Sequence, residues 1–287
     1  MSHQLPYAVN CSILFTERPL LERPAAAKAA GFDAVEFWWP FPAAVPRGAE
    51  VDGFVAALED ADVLLVGLNF AAGDMPGGDR GLLSWPARSS EFRDNVDVAV
   101  TIGERLGTPA FNALYGNRVD DASPDEQDEL AVANLAVAAR AAARIGAVVL
   151  VEPVSGAPRY PLRTADDAIA VIDRVEGDEG VDNLRLLADL YHLTVNGDDL
   201  DRVVTRYAPR VGHVQVADAP GRHEPGTGEI DLGRHLVALA AAGYSGWVGL
   251  EYAPTGSSES SFGWLSRERR HSPTTAETPP RLRNGAR

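Results

Sequence analysis

The chain has 287 residues, of which 45% are hydrophobic, so its composition fits one large globular domain and excludes a disordered protein. Its formal net charge of −15 argues against a duplex nucleic-acid binder, because such proteins need a basic surface that neutralises phosphates. A single cysteine, Cys11, together with the absence of a signal-peptide pattern and of any apolar run of membrane-spanning length, predicts a cytoplasmic protein with no membrane or nucleic-acid partner.

Short apolar or β-branched runs alternate with longer Ala- and Leu-rich stretches along the chain. The predicted strands are residues 7–14, 34–37, 63–69, 108–113, 147–152, 184–188, 211–216 and 247–251. The predicted helices are residues 18–30, 50–61, 90–106, 124–145, 164–175, 198–207 and 231–242. Regular strand–helix alternation indicates right-handed βαβ units and a parallel sheet, and eight such units close a barrel. We therefore predict an α/β fold, a single (β/α)₈ TIM barrel.

Two segments stand apart from this alternation. Residues 70–92, FAAGDMPGGDRGLLSWPARSSEF, form a long Gly- and Pro-rich insertion, which we expect to be a lid or substrate-binding loop; the alternative is a variable surface loop. Residues 266–287 contain six arginines, are rich in Pro and Thr and lack apolar periodicity. We therefore assign residues 1–265 to the barrel and predict that 266–287 is a basic, Pro-rich, disordered C-terminal tail.

Oxygen-bearing side chains end four consecutive predicted strands. They are Glu152, Asp189, Gln215 and Glu251. Active sites of α/β barrels lie at this edge of the sheet. Three carboxylates so close together repel one another, and a divalent cation relieves that repulsion. A cage of oxygen ligands suits Mg²⁺ or Mn²⁺ better than zinc. The alternative is that these acids pair with arginines at the barrel rim.

Further polar residues lie beside this predicted metal site. His192, shortly after the sixth strand, is predicted to bind a substrate oxygen, unless it is an ordinary rim histidine. Arg222, in a Gly- and Pro-rich loop, is predicted to hold a substrate carboxylate, unless it is a surface arginine. His213 begins deeper in the barrel, and we predict a hydrogen-bonded core histidine. Glu36 ends the second strand and is expected to line the pocket floor or to form a buried ion pair.

Several stretches between Tyr7 and Leu265 resemble the hydroxypyruvate isomerase family, within the xylose isomerase-like barrel group. They are VEFWWPF, LNFAAGD, GDRGL, NALYG, EPVS, DLYH, HVQVADAPGRHEPGTGEI and GLEY. The long HVQ…GEI run is the specific one, and each short piece alone is weak. The sequence departs from the usual pattern after DLYH, where many members carry a glutamine, and in its basic tail.

This resemblance implies a mechanism and roles for the residues. Glu152 and Glu251 would act as the proton donor and acceptor, and Glu152, Asp189, Gln215 and Glu251 would hold the divalent metal. The implied reaction interconverts hydroxypyruvate and tartronate semialdehyde (2-hydroxy-3-oxopropanoate) through an enediolate. Related ketose epimerases commonly carry a histidine where this chain has Gln215, which favours the hydroxypyruvate branch.

Other possible functions would need either the same strand-end residues or different ones. A 2-oxo-tetronate isomerase would need the same residues, and a hydride shift could replace proton transfer. A Schiff-base aldolase is excluded because the single lysine, Lys28, lies on a predicted helix. A non-catalytic sugar-acid binding protein would not need paired bases, and an endonuclease relative would carry more histidines. The sequence leaves the oligomeric state undecided between a monomer and a homo-oligomer, since Trp85 and Trp264 could lie in a subunit interface or pack locally.

Overall fold

A computed structural model describes residues 3–271 and contains a closed barrel of eight parallel strands in the order β1 to β8. The strands are β1 Tyr7–Asn10, β2 Ala34–Phe37, β3 Leu64–Asn69, β4 Ala110–Asn112, β5 Val148–Val151, β6 Leu184–Asp189, β7 Val211–Val216 and β8 Val248–Leu250. Closure comes from parallel pairing of β1 with β8. The predicted TIM barrel and all eight predicted strands are confirmed. The first strand ends four residues before its predicted end, at Asn10, and this shift affects the site described below.

Helices surround the barrel. They are α1 Arg23–Ala29, α2 Gly48–Asp60, α3 Ser89–Leu106, α4 Pro124–Ala143, α5 Ala165–Glu179, α6 Leu190–Val195, α7 Leu200–Tyr207, α8 Leu232–Ala241 and α9 Arg267–Arg270. The caps explain several boundaries: Ser123 accepts from the Glu126 amide at the start of α4, and Gly107 ends α3 with a φ of 70°. The short helix α6 was not predicted, because six residues show no clear period. No helix between residues 3 and 271 has the length and apolarity needed to cross a membrane.

The apolar core lies mainly between the barrel and its helices. Alternate strand residues point outward, so that Phe37 of β2 packs on Phe54 of α2 with ring centroids 5.1 Å apart, and Phe111 of β4 stacks on Phe70 at 5.4 Å. Inside the barrel, small residues such as Ala8 form a separate cluster. The barrel centre beyond this cluster is lined by polar side chains, among them Asn10, Glu36 and His213, together with Leu150 and Leu187. The barrel thus combines an apolar outer layer with a polar centre.

The insertion at residues 70–92 folds against the loop that follows β4. The amide of Ser84 donates to Tyr115 O at 2.9 Å, and the preceding Leu83 is fully buried. Arg88 forms ion pairs with Asp79 at 3.0 Å and with Glu91 at 2.6 Å. These contacts hold the insertion as a packed segment on the C-terminal side of the barrel.

The start of the predicted tail is folded, so the prediction of disorder is wrong for residues 267–270. Arg267 donates to Ala29 O at 2.8 Å and Arg270 to Ala30 O at 2.9 Å. These carbonyls end α1 and have no partner within that helix, so arginines stabilise them. The remainder of the predicted tail, residues 272–287, lies outside the described residues. Both tryptophans have local contacts: Trp264 packs on Tyr7 at 5.8 Å, and Arg88 lies over Trp85.

Candidate active site

The four predicted strand-end residues meet at the C-terminal edge of the barrel, and all four are buried. Asp189 ends β6 and pairs in register with Gln215 of β7. Glu152 and Glu251 directly follow β5 and β8. Because the strands are parallel and closed into a barrel, their C-terminal ends form one ring, and the side chains project into its centre.

Glu152 is fixed through one carboxylate oxygen and through its main chain. Its Oε2 accepts a hydrogen bond from Asn112 Nδ2 at 2.6 Å, and Asn112 ends the neighbouring strand β4. Its main-chain oxygen accepts from the Tyr160 hydroxyl at 2.9 Å. The second oxygen, Oε1, faces His192 Nε2 at 4.0 Å. One oxygen is therefore anchored and the other faces the pocket.

Glu251 follows the same plan on the opposite side of the site. Its Oε2 accepts from Asn10 Nδ2 at 2.7 Å and from Gln215 Nε2 at 2.5 Å. Its Oε1 accepts from Arg222 Nη2 at 2.5 Å. Each glutamate thus has an asparagine from an adjacent strand on Oε2, while Oε1 faces His192 in Glu152 and pairs with Arg222 in Glu251.

Three buried oxygen atoms at the site have no hydrogen-bond partner among the described residues. They are Oδ1 of Asn112, Oδ2 of Asp189 and Oε1 of Gln215. The other oxygen of Asp189 caps α6 by accepting from the Tyr191 amide at 2.8 Å. Buried acceptors normally find a donor or a cation. A carboxylate oxygen of Glu152 and one of Asp189 also lie within 4.8 Å of each other. The donor set therefore fits a hard divalent cation.

His192 presents a proton to the pocket rather than a lone pair. Its Nδ1 accepts from the Ser155 amide at 3.1 Å, so in the neutral ring Nε2 carries the hydrogen. That Nε2 lies 3.6 Å from Asp189 Oδ2. Burial lowers the pKa of His192 to about 4, which keeps the ring neutral at physiological pH. The geometry suits a donor to a ligand oxygen better than a metal ligand.

Arg222 lies at the pocket, but its partner differs from the predicted substrate carboxylate. Its Nη2 pairs with Glu251 and lies 3.7 Å from Asp189 Oδ2. The residue has a φ of 59°, in a loop held by Asp218, whose carboxylate accepts the amides of Gly226 and Ile230 at 2.8 and 3.0 Å. The loop thus places the guanidinium of Arg222 beside the carboxylates of Glu251 and Asp189. This pairing agrees in part with the alternative prediction, that the strand-end acids pair with arginines at the barrel rim.

Burial and mutual repulsion dominate the electrostatics. Burial, followed by the nearby Asp189, raises the pKa of Glu152 to about 8. Burial also raises the pKa of Glu251 well above its ordinary value, although Arg222 opposes that shift. Carboxyl groups with pKa values moved toward neutrality are suited to exchange protons with a substrate.

Comparison with known proteins agrees with this geometry. The family model described as a xylose isomerase-like TIM barrel matches residues 24–268. The chain belongs to the xylose isomerase-like TIM barrel family. Its sequence is 57% identical to "Putative hydroxypyruvate isomerase" of Streptomyces coelicolor, over 90% of this chain and 95% of that protein.

Two further relatives in this family carry different names. The hydroxypyruvate isomerase of Escherichia coli is 33% identical over 91% of this chain and 98% of that one. The 2-oxo-tetronate isomerase of Cupriavidus necator is 34% identical over 90% and 96%. A solved structure named as an AP endonuclease, family 2, from Brucella melitensis is 33% identical, covers 92% of this chain and 98% of its own, and has a TM-score of 0.80. The predicted resemblance and the predicted enzyme class, an isomerase, are confirmed.

The two anchoring asparagines of this xylose isomerase-like site, Asn10 and Asn112, were not predicted from the sequence. The first predicted strand ran past Asn10 and the fourth past Asn112, so both residues were placed within strands. In the structure both are strand-end polar residues, like the four acids and amides that were predicted. A polar residue at the end of an apolar run is the pattern that identified the other site residues. The same pattern would have identified both asparagines if the predicted strands had ended at Asn10 and Asn112.

The raised pKa of Glu152 predicts a pH dependence of stability in the metal-free protein. Between pH about 4.5 and 8 the folded carboxyl holds a proton that the unfolded chain has released, so this contribution to stability is lost as pH rises through that window. The quantity to measure is the difference in melting temperature between the wild type and Glu152→Gln, as wild type minus variant, in EDTA. We expect this difference to decrease from pH 5 to pH 8. A divalent ion should stabilise the protein more at pH 8, because binding needs the ionised group. A difference that stays flat with pH would contradict the prediction.

Proposed function

We propose that this chain interconverts hydroxypyruvate and tartronate semialdehyde. The observation that carries the proposal is the pair Glu152 and Glu251, each held through Oε2 by a strand-end asparagine. Oε1 of Glu152 faces His192, and Oε1 of Glu251 faces Arg222. An isomerisation of this kind needs one group to take a proton from carbon and another to supply one to the adjacent carbon. The names of the S. coelicolor and E. coli relatives support the choice of substrate.

A divalent cation, Mg²⁺ or Mn²⁺, is part of this proposal. Glu152, Asp189, Gln215 and Glu251 would hold it, and the unpartnered oxygens of Asp189 and Gln215 are the atoms that support such a site. When bound, the ion would polarise the substrate carbonyl and make the neighbouring C–H bond more acidic.

The protein residues then divide the proton transfers. One glutamate removes a proton from C3 of hydroxypyruvate to give an enediolate, and the other delivers a proton to C2. The net change also moves one hydroxyl proton from O3 to O2. His192 can donate from Nε2 to a substrate oxygen as charge develops there, because its Nδ1 is held by Ser155. Positioned acid–base groups contribute about 10²- to 10⁴-fold each.

Arg222 is proposed to receive the substrate carboxylate. Its guanidinium already lies beside Glu251 and over the ring of Tyr191, at 5.4 Å. Burial weakens solvent competition for this cation, so an anionic ligand that reaches the pocket finds a charged donor in place.

We expect EDTA-stripped protein to be inactive and Mg²⁺ or Mn²⁺ to restore turnover of hydroxypyruvate. In D₂O, proton NMR should show tartronate semialdehyde that carries deuterium at carbon, because a glutamate exchanges its proton with solvent. Unlabelled product would instead favour a shielded transfer or a hydride shift. No product with or without metal would contradict the proposed function.

The second candidate is a 2-oxo-tetronate isomerase, the name of the C. necator relative. The same glutamates and metal ligands would serve that reaction, since the extra carbon changes only the length of the pocket. Parallel assays with a four-carbon 2-oxo acid distinguish the two by kcat/KM. An endonuclease, named for the B. melitensis structure, has weaker support because the chain carries a net charge of −15.

A further inference from the structure

The barrel centre below the site contains a further buried acid, Glu36, that the proposed mechanism does not use. We propose that Glu36 is a positioning residue, which orients the amide of Gln215 so that its oxygen, and not its nitrogen, is available to the cation. This inference rests on the metal site of the proposed function. It assigns no contact between Glu36 and substrate.

Glu36 is 3% exposed and is surrounded by donors from two strands, β1 and β7. Its Oε1 accepts from Gln215 Nε2 at 2.7 Å and from Asn10 Nδ2 at 3.0 Å. Its Oε2 contacts His213 Nε2 at 2.5 Å. The prediction that His213 is a hydrogen-bonded core histidine is confirmed, and its partner is this carboxylate.

Neighbouring strands leave room for this side chain. A Cβ at Gly249 would lie 2.6 Å from both carboxylate oxygens of Glu36, and a Cβ at Gly67 would lie 3.3 Å from the Glu36 Cβ. Real side chains essentially never approach so closely at the first position. The barrel interior is therefore built around a carboxylate at residue 36.

The hydrogen-bond count determines which way the Gln215 amide faces. An ionised carboxylate only accepts, and an amide NH₂ group has two hydrogens to donate. Gln215 Nε2 donates to both Glu36 and Glu251, so both hydrogens are used. When a divalent cation is bound and Glu251 is ionised, a flipped amide would place its oxygen against two carboxylate oxygens, which is repulsive. The unpartnered Oε1 of Gln215 is the consequence of this arrangement.

Asn10 repeats the pattern and supports it. Its Nδ2 donates to the same two carboxylates, and its Oδ1 accepts from the Ser12 amide at 3.0 Å. Glu36 and Glu251 therefore both accept hydrogen bonds from the NH₂ groups of Asn10 and Gln215. In each of the two amides the oxygen points away from these carboxylates. For Asn10 that oxygen has a protein partner, whereas Oε1 of Gln215 has no hydrogen-bond partner among residues 3–271.

The test is a double-mutant cycle read by Mn²⁺ binding, measured by calorimetry without substrate. Glu36→Gln keeps the size of the side chain but introduces a donor beside the donors of Gln215 and Asn10. We expect Mn²⁺ affinity to fall about 10- to 100-fold, as for other groups that orient metal ligands. In a Gln215→Ala background the same substitution should change affinity less than about threefold, because the only amide that Glu36 contacts there, that of Asn10, is not a proposed metal ligand.

Controls separate this effect from general destabilisation. Gln127→Glu changes a buried amide in α4, whose donors serve Val119 and Ala122 outside the site, and should lower the melting temperature while leaving Mn²⁺ affinity unchanged. If Glu36→Gln does not fold, Glu36→Met has similar volume and carries the same expectation.

Three results would overturn the inference: unchanged Mn²⁺ affinity in folded Glu36→Gln, an equal loss in the Gln215→Ala background, or a wild type that binds no Mn²⁺. A wild type that binds Mn²⁺ but does not isomerise hydroxypyruvate would instead refute the proposed substrate. In that case the cycle still decides the role of Glu36.

Discussion

Glu152→Gln should lower kcat for hydroxypyruvate by about 10²- to 10⁴-fold, the range expected when a positioned acid–base group is lost. The substitution keeps the shape of the side chain, and its amide oxygen can still accept from Asn112, as Oε2 of the glutamate does now. The pocket-facing position then carries an NH₂ group, which cannot take a proton. The loss should therefore appear in kcat, measured with saturating substrate and metal.

Glu251→Gln is the partner variant, and the two together identify the roles of the pair. In D₂O, the variant that retains the base can still exchange the C3 protons of hydroxypyruvate with solvent even if it cannot complete the isomerisation. The variant that lacks the base should show neither exchange nor product. Near-wild-type turnover in either variant would remove the two-base scheme while leaving the fold and the metal site in place.

Asp189→Asn should reduce Mn²⁺ affinity by at least about 100-fold and reduce turnover at limiting metal in parallel. Its two carboxylate oxygens have separate tasks: Oδ1 caps α6, and Oδ2 accepts no hydrogen bond from the described residues. An asparagine keeps the cap, because its remaining oxygen can accept the Tyr191 amide. It places an NH₂ group where the cation needs an oxygen.

Asp199→Asn is the matched control, because Asp199 caps α7 in the same way, accepting from the Asp201 amide at 3.0 Å, and lies outside the four proposed ligands. It should leave Mn²⁺ affinity and kcat unchanged. The melting temperature of metal-free Asp189→Asn should not fall, since a buried negative charge is removed beside Glu152. Wild-type Mn²⁺ affinity in Asp189→Asn would show that this residue is not a ligand.

The sequence was sufficient for the features that repeat along the chain. Strand–helix alternation predicted the closed barrel, and the position of Glu152, Asp189, Gln215 and Glu251 directly after apolar runs predicted that they meet. Parallel strands bring their ends to one edge whatever the loops do, so this inference needed no knowledge of loop geometry.

Other features depend on contacts between distant parts of the chain. Arg222 was predicted at the pocket, but its pairing with Glu251 follows from a loop conformation held by Asp218, which no local pattern indicates. The hydrogen bond between Glu36 and Gln215 joins residues that are 179 positions apart in the sequence. The order of residues 267–270 comes from unpartnered carbonyls at the end of α1, which sequence composition does not reveal.

Mutations have different effects in the two layers of the barrel: the apolar layer between strands and helices, and the polar centre. Packing such as that of Phe37 on Phe54 lies on the outer side of the strands, away from the carboxylates. Substitutions there can raise or lower heat resistance without touching the chemistry, whereas interior positions offer almost no freedom. Substrate range is therefore most easily altered in the loops at the barrel mouth, and robustness in the helical shell, by separate sets of mutations that should combine nearly additively.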